Sequence, residues 1–267
     1  FLFTPAPGFT GPVTFTYQAC LPAPNSALCS SAAATINVNA GNLAALTDDF
    51  TATPLAPGGS TATSVLANDT LNGVSPPAAA SVTLALVGAP SGYALTAAGL
   101  LQVPTSAAAG VNVLTYQLCE NAAAGNCASA QITVVVTPQA QDDALSTQAG
   151  QVLNGSVGDN DNAPAGSQFT ITGALPDGLL FNGNGTFSYV PPAGVASPVT
   201  FSYQVCLPAP YAALCSTATA SININAGTLG AVDDDFSSTP INPVSGGSTP
   251  SVLANDRLND VTPVDPA

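Results

Sequence analysis

The sequence predicts an all-β chain of tandem Greek-key β-sandwich domains, each about 93 residues long. A hairpin of fixed composition occurs three times, two cysteines flank its turn in every copy, and no segment combines a helical period with caps and length to match.

The third copy shows the hairpin most clearly. Its first strand reads Val199-Thr-Phe-Ser-Tyr-Gln-Val-Cys206, with Val199, Phe201, Tyr203 and Val205 on one face and Thr200, Ser202 and Gln204 on the other. A period of two marks a half-buried strand. The return strand alternates in the same way, with Ala220, Ile222 and Ile224 set against Ser221, Asn223 and Asn225. Matching stretches run from Val13 to Asn39 and from Val111 to Val136.

Cys20 and Cys206 stand 186 residues apart, and the same offset brings Asp48-Asp-Phe50 onto Asp234-Asp-Phe236. With the Cys119 copy between them, that offset spans two repeats. The expected organisation is then residues 1–41 as the C-terminal half of a repeat, 42–138 and 139–227 as complete repeats, and 228–267 as an N-terminal half. A strand around Phe1-Leu-Phe3 should open the first half. The connections Asn39 to Thr47 and Thr137 to Gln141 contain no long Gly/Ser or Pro-rich tract, which favours a stiff string over freely jointed beads.

Within 139–227 the alternation predicts strands near Asp143 to Thr147, Gln151 to Val157, Gln168 to Gly173, Gly178 to Phe181, Thr186 to Val190, Val199 to Cys206 and Leu214 to Asn225. Turn signals separate them at Asn160-Asp-Asn-Ala-Pro164, Pro176-Asp-Gly178, Asn182-Gly-Asn-Gly185 and Pro191-Pro-Ala-Gly194. Strands this short and this closely spaced form a Greek-key sandwich, and a β-solenoid would need a much shorter repeat.

Composition narrows the function classes. Fifteen acids face one base, Arg257, for a net charge of -14. Nucleic acid and anionic membrane surfaces both require clustered Lys and Arg, so neither is an expected partner. No apolar run reaches the roughly 18 residues that span a bilayer. Gly and Pro total 48 residues, short of a disordered low-complexity chain, and 46% hydrophobic content is enough for packed cores.

The six cysteines pair by position as Cys20 with Cys29, Cys119 with Cys127 and Cys206 with Cys215. Each pair flanks a hairpin turn, where facing strands come within disulfide reach. Metal binding is the competing reading, but two thiols without a second pair or any histidine leave a tetrahedral zinc site incomplete. Disulfides imply an oxidising, extracellular or cell-surface setting.

The phases Ser251-Val-Leu-Ala-Asn-Asp256, Val65-Leu-Ala-Asn-Asp-Thr70, Gly185-Thr-Phe-Ser-Tyr-Val-Pro191, Val199-Thr-Phe-Ser-Tyr203 and Pro7-Gly-Phe-Thr-Gly-Pro12 recur in fixed order. In these the chain resembles the tandem cadherin-like, Ig-like repeats of large bacterial surface proteins. That resemblance implies a secreted adhesin, a surface stalk or a fibre. Two departures stand out. The Asp-rich loop usual after the Asn-Asp motif is here Thr70-Leu-Asn-Gly73, and the acidic position after the hairpin's first cysteine is kept only as Glu120, with Leu21 and Leu207 in the other copies.

Acidic residues gather in two groups. Asp48, Asp49, Asp142, Asp143, Asp233, Asp234 and Asp235 lie at repeat starts, and Asp69, Asp159, Asp161, Asp256 and Asp260 follow about twenty residues later. A strand, a turn and a return of that length should bring both groups to one end of a repeat. Asp48, Asp49, Asn68, Asp69, Asp142, Asp143, Asp161, Asp234, Asp235 and Asp256 are accordingly candidate oxygen ligands for Ca²⁺, which takes six to eight. The competing reading makes them turn formers and edge charges that discourage aggregation.

Catalysis finds little to work with. No His or Lys is present to activate a Ser or Cys nucleophile, and adjacent Asp residues on a strand point to opposite faces rather than across a substrate. Tyr17, Tyr116 and Tyr203 lie in phase with core residues and are expected to pack. Asn68, Asn154 and Asn184 head Asn-x-Ser/Thr triplets that read as turns or glycosylation acceptors.

The sequence thus points to a structural extracellular repeat protein, a stalk or filament of stacked sandwiches whose partner is itself. Half-repeats could be completed end to end by neighbouring subunits through strand complementation or by further residues of a longer chain. The alternative is an adhesin module recognising carbohydrate or protein through its loops.

Overall fold

The computed structural model describes residues 1–6, 9–192, 194–195 and 197–259. Pro7 and Gly8 of the Pro7–Pro12 motif, Ala193 of the Pro191–Gly194 turn and the acidic Asp260 lie outside the described residues. The chain divides into two compact units, Phe1–Thr137 and Pro138–Ala267.

The first unit opens with the hairpin β1 (Gly11–Cys20) and β2 (Cys29–Val38), paired from Gly11 opposite Val38 to Cys20 opposite Cys29. Phe1-Leu-Phe3 does not form the expected strand. The strands that would flank it in a complete repeat are not in 1–41, and Phe1 instead stacks on Phe15 at 4.8 Å between ring centroids.

There follow β3 (Leu43–Ala44), β4 (Asp48–Asp49), β5 (Thr70–Leu71), β6 (Val82–Val87), β7 (Ala94–Leu95), β8 (Leu101–Gln102), β9 (Gly110–Glu120) and β10 (Cys127–Val136). One sheet has the order β4-β10-β9-β6, parallel between β4 and β10 and antiparallel elsewhere. The opposing layer is thin: β7 pairs with β8, and Ser60 makes a single bridge to Gln102. Pro57-Gly-Gly59 and the 3-10 turn Val65–Ala67, which Ser64 caps by accepting the Leu66 N–H, replace a regular second strand. Val65, Leu101, Tyr116, Leu118, Ile132 and Val134 are fully enclosed between the layers. The stretch Asn39 to Thr47 is more than a linker, because β3 within it pairs with β5.

In the second unit all seven expected strands form: β11 (Asp143–Gln148), β12 (Leu153–Ser156), β13 (Gln168–Ile171), β14 (Leu179–Phe181), β15 (Thr186–Tyr189), β16 (Val199–Cys206) and β17 (Cys215–Asn225). Their sheets have the orders β11-β17-β16-β13 and β12-β15-β14, again with one parallel pair, β11 with β17. Four strands facing three make an Ig-like sandwich. Phe201, Tyr203, Val205, Ala220 and Ile222 fill its core with Phe169, Phe187 and Tyr189, while Thr200 and Ser202 face outward as their alternation requires. Two edge-on contacts, Phe181 and Phe187 each with Phe201, lock the layers together. At the Pro176–Gly178 turn, Gly178 has φ +83° and a Cβ there would run into the Val190 carbonyl oxygen, so only glycine fits. The short ladder β18 (Leu229–Gly230) with β19 (Arg257–Leu258) follows.

One core group lacks a partner. The Tyr189 hydroxyl is buried without a hydrogen bond. Tyr189→Phe removes an unpaired polar atom and keeps the ring, so it should leave urea stability unchanged or raise it by up to about 1 kcal/mol. A loss above that range would mean the hydroxyl is bonded in solution.

Candidate functional site: a tyrosine–carboxylate clasp

In each of the two compact units, the two acidic groups meet on a buried tyrosine. In 42–138 the Tyr116 hydroxyl lies 2.8 and 2.9 Å from the two carboxylate oxygens of Asp69 and 3.0 Å from the Leu46 carbonyl oxygen. Asp69 Oδ1 also accepts the Leu46 N–H at 2.8 Å, and Asn68 Nδ2 donates to the Thr47 carbonyl at 3.0 Å. Asp69 and Tyr116 are fully enclosed, and Asp48 is 6% exposed. The arrangement ties three segments together: the repeat start, the turn after residue 64, and the hairpin strand β9.

Repeat 139–227 builds the same clasp. Tyr203 Oη lies 3.1 and 3.2 Å from the Asp161 oxygens, 2.8 Å from the Gln141 carbonyl and 3.1 Å from the Val157 carbonyl. Asp161 accepts the Gln141 N–H, and Asn160 donates to the Asp142 carbonyl. Half of the motif appears again in 228–259, where Asp256 accepts the Val232 N–H and Asn255 donates to the Asp233 carbonyl.

The local sequence explains the geometry. A hairpin strand of period two puts its aromatic residues in the core, and a buried phenol needs an acceptor. Asn-Asp supplies one, its two side chains reaching back to the backbone of the repeat start about twenty residues earlier. Strand alternation then separates neighbouring acids: Asp48 turns inward, while exposed Asp49 accepts the Thr51 N–H, which holds its carboxyl below the usual range. Asp235 is lowered likewise by Ser237, through its side chain and its N–H. Asp142, also exposed, accepts the Thr219 N–H.

Burial and then the Asp69 charge push Asp48 up to about 7, against smaller opposing contributions from the Tyr116 hydroxyl and the Asn68 amide. Burial raises Asp69 too, offset by its bonds to Leu46 and Tyr116. Asp143 is pushed up to about 6, by burial first and, against the Tyr203 hydroxyl, by the charges of Asp161, Asp142 and Asp159. Both tyrosines are held above the usual phenol range, burial being the main cause.

Of the candidate calcium ligands, the fold brings Asp48, Asn68 and Asp69 together in one repeat and Asp143 and Asp161 in the next, sets Asp256 against the start of the last, and leaves Asp234 exposed. Asp49, Asp142 and Asp235 cap nearby backbone instead. Among the described residues, no group of three or more His, Cys, Asp or Glu side chains is arranged to hold a metal ion. Alternation identified Tyr116 and Tyr203 as core residues but missed their polar role. The signal was available, since a core tyrosine and an Asn-Asp pair recur together in both complete repeats. Tyr17 departs from the expectation of packing, being 51% exposed. Asn184 uses its side chain within a turn, accepting the Thr186 N–H, whereas the Asn68 amide reaches across to the Thr47 carbonyl.

All three cysteine pairs are disulfides, each joining directly opposed residues of a hairpin with Cα atoms 4.1 Å apart. Glu120, the retained acid beside one of them, accepts the Gly41 N–H at 2.8 Å and the Asn126 amide at 2.7 Å, fixing the entry to its repeat. Among the described residues, no helix is long and apolar enough to cross a membrane.

Residues 136–225 match the family described as a bacterial Ig domain. No curated protein matches the chain. Among solved structures it is similar to an I-band fragment of titin, at 11% identity over 80% of this chain and 75% of that one, with a TM-score of 0.33. It is also similar to the ectodomain of human desmocollin-1, at 10% identity, 83% and 49% coverage and a TM-score of 0.29. A third similarity is to an endo-fucoidan hydrolase of glycoside hydrolase family 107, at 15% identity, 80% and 34% coverage and a TM-score of 0.28. The chain spans 34% to 59% of the length of the first three solved structures it matches. At such scores the fold rests on strand order and the family match, and the hydrolase likeness establishes no activity.

Proposed function

We propose that this chain of tandem Ig-like, cadherin-like repeats, whose disulfides belong to an oxidising, extracytoplasmic setting, is a structural segment of an extracellular stalk or filament. The observation that carries the reading is the repetition of one mechanical design. Hairpins of matching register are clipped by a disulfide at the turn, and in both complete repeats the same hairpin is held to the repeat start by a tyrosine–carboxylate clasp. The loop Cys20-Leu-Pro-Ala-Pro24 recurs as Cys206-Leu-Pro-Ala-Pro210, which suits repeated neighbour contacts better than recognition of one ligand. A glycan array probed with the full chain tests the choice. The structural reading expects no saturable signal, and a specific glycan that binds would establish the adhesin reading instead.

The partner this design supports is another repeat half. Val13, Phe15 and Tyr17 stand opposite Ile36, Ala34 and Ala32, as Val199, Phe201 and Tyr203 stand opposite Ile222, Ala220 and Ala218. Tyr203 is fully enclosed, whereas Tyr17 is 51% exposed. Val65 is buried in its repeat, whereas its counterpart Val252 is 55% exposed. The uncovered hairpin therefore fits the early strands of such a repeat, supplied by further residues of a longer chain or by residues 228–259 of a neighbouring copy. Sedimentation should show mass rising with concentration and Tyr17→Asp abolishing the rise; a concentration-independent monomer would contradict this contact.

A further inference from the structure

We propose that Leu258-Asn259 is a docking plug, which seats the segment 228–259 on the turn between β11 and β12 of the sandwich before it and so couples the two. That turn, Gln148–Gln151, is built to present a carbonyl. The Gln151 N–H donates to the Gln148 carbonyl at 3.0 Å, the Thr147 hydroxyl to the Gln151 carbonyl at 3.1 Å, and Gly150 takes a left-handed φ of +77°. The Ala149 N–H donates at 2.9 Å to the carbonyl of Asn225, the last residue of β17. The turn is thereby tied to the point where the chain leaves the sandwich. From the other side, Asn259 Nδ2 donates to the Ala149 carbonyl at 2.8 Å. Leu258 reaches the same turn, since a Cβ at Gly150 would lie 3.7 Å from Leu258 Cδ2. A linker alone leaves neighbouring domains free to move. A hydrogen bond and an apolar contact beside it make a second point of attachment.

The plug is itself held in shape. Asn259 has φ +54°, a region in which Asn is enriched. Its N–H donates to the Thr228 carbonyl and its Oδ1 accepts the Thr228 N–H, both at 2.8 Å, so the amide nitrogen is left for the turn. Leu229 pairs with Leu258, and a Cβ at Gly227 would come within 2.9 Å of Leu258 Cδ1, so the linker glycine makes room for the plug.

The same construction without a turn beside it supplies the comparison. Leu71-Asn72 follows Asn68-Asp69 at the spacing at which Leu258-Asn259 follows Asn255-Asp256. Asn72 has φ +53°, donates its N–H to the Asn42 carbonyl at 2.8 Å and accepts the Asn42 N–H on Oδ1 at 2.9 Å. No counterpart of Gln148–Gln151 precedes it among the described residues, and Asn72 is exposed where Asn259 is half-buried. The plug therefore forms by itself, and docking is what covers it. In 139–227 the bridge of Gln139 with Asn162 takes the place of Ala44 with Thr70, which sets Ala163-Pro164 where the others have Leu-Asn. Proline has no N–H to donate and no side-chain amide. The plug thus marks alternate segments, in step with the offset that relates Asp48-Asp-Phe50 to Asp234-Asp-Phe236, and its partner is a turn of the 139–227 kind. Such a joint serves a stalk and an adhesin alike.

Backbone amide relaxation, measured by NMR on the full chain, tests the joint. Residues 228–259 should tumble with 139–227 as one body. Asn259→Asp keeps an oxygen for the Thr228 N–H but removes the donor to Ala149, and it should release 228–259 into independent reorientation while the Leu229–Leu258 pairing persists. Asn259→Gly suits the same left-handed backbone and removes the amide without adding a charge, so it should release the segment as well. Asn72→Asp makes the first exchange at the undocked plug and should leave the tumbling of 42–138 as it was. Independent motion of 228–259 in the unmodified chain would overturn the proposal, as would shared tumbling that survives both Asn259 variants.

Discussion

Tyr116→Phe and Tyr203→Phe should each destabilise their repeat by about 2 to 3 kcal/mol, the range for losing a buried hydrogen bond to a charged acceptor. The substitution keeps the ring, which is fully enclosed in both repeats, so packing is nearly unchanged and the loss reports on the hydroxyl. Without it Asp69 keeps the Leu46 N–H, but one oxygen of a buried carboxylate loses its donor. In 139–227 the single hydroxyl proton is shared among Asp161 and the Gln141 and Val157 carbonyls, so the same loss is expected there. For a repeat of this size the midpoint of thermal unfolding should fall by about 10 °C or more. Urea unfolding followed by circular dichroism measures it, with Tyr189→Phe as the control whose hydroxyl has no partner. Equal behaviour of Tyr189→Phe and Tyr203→Phe would show that the clasp contributes nothing.

Replacing Cys206 and Cys215 together by serine should cost about 2 to 3 kcal/mol, the chain-entropy value for a loop this short. The cysteines are 9 residues apart and directly opposed in register. The bond therefore closes a loop that the β16–β17 ladder already brings together, and its main effect is on the unfolded chain. The hairpin's native pairing should survive, because Val199, Phe201 and Tyr203 on one strand and Ala218, Ala220 and Ile222 on the other still define which face is buried. Denaturation with and without a reductant measures the difference, and a variant as stable as the oxidised chain would contradict it. The Cys119–Cys127 pair, separated by 8 residues, should behave alike in repeat 42–138.

The parts of this structure legible in the sequence are those governed by side-chain period and repetition. Strands from Asp143 to Asn225 follow alternation between turn residues, and the cysteine pairs follow from their places at a hairpin turn. Less legible was the second layer of 42–138, where Pro57-Gly-Gly59 interrupts the strand pattern and the capped turn at Val65 carries the core residues Val65 and Leu66 without strand geometry. Phe1-Leu-Phe3 has strand composition, but a strand exists only against a neighbour. The clasp was legible in its pieces alone. Asp48 and Asp69 were singled out for their charge and Tyr116 for its phase, and only the fold brings a hydroxyl from one end of the repeat sequence to a carboxylate from the other. The two acids were expected at one end of the repeat; their enclosure within it depends on inward rotation of Asp48, which the register of β4 on β10 sets.

Pulling the full chain end to end in a force spectrometer tests the central claim most directly. Two complete repeats, each a separately cored sandwich, should give two unfolding peaks. After reduction each contour increment should lengthen by roughly 30 Å, because the eight or nine residues held behind each clip, at about 3.5 Å apiece, join the stretched chain. One cooperative rupture for the whole chain, or increments unchanged by reduction, would contradict a scaffold of independently folded, internally clipped repeats.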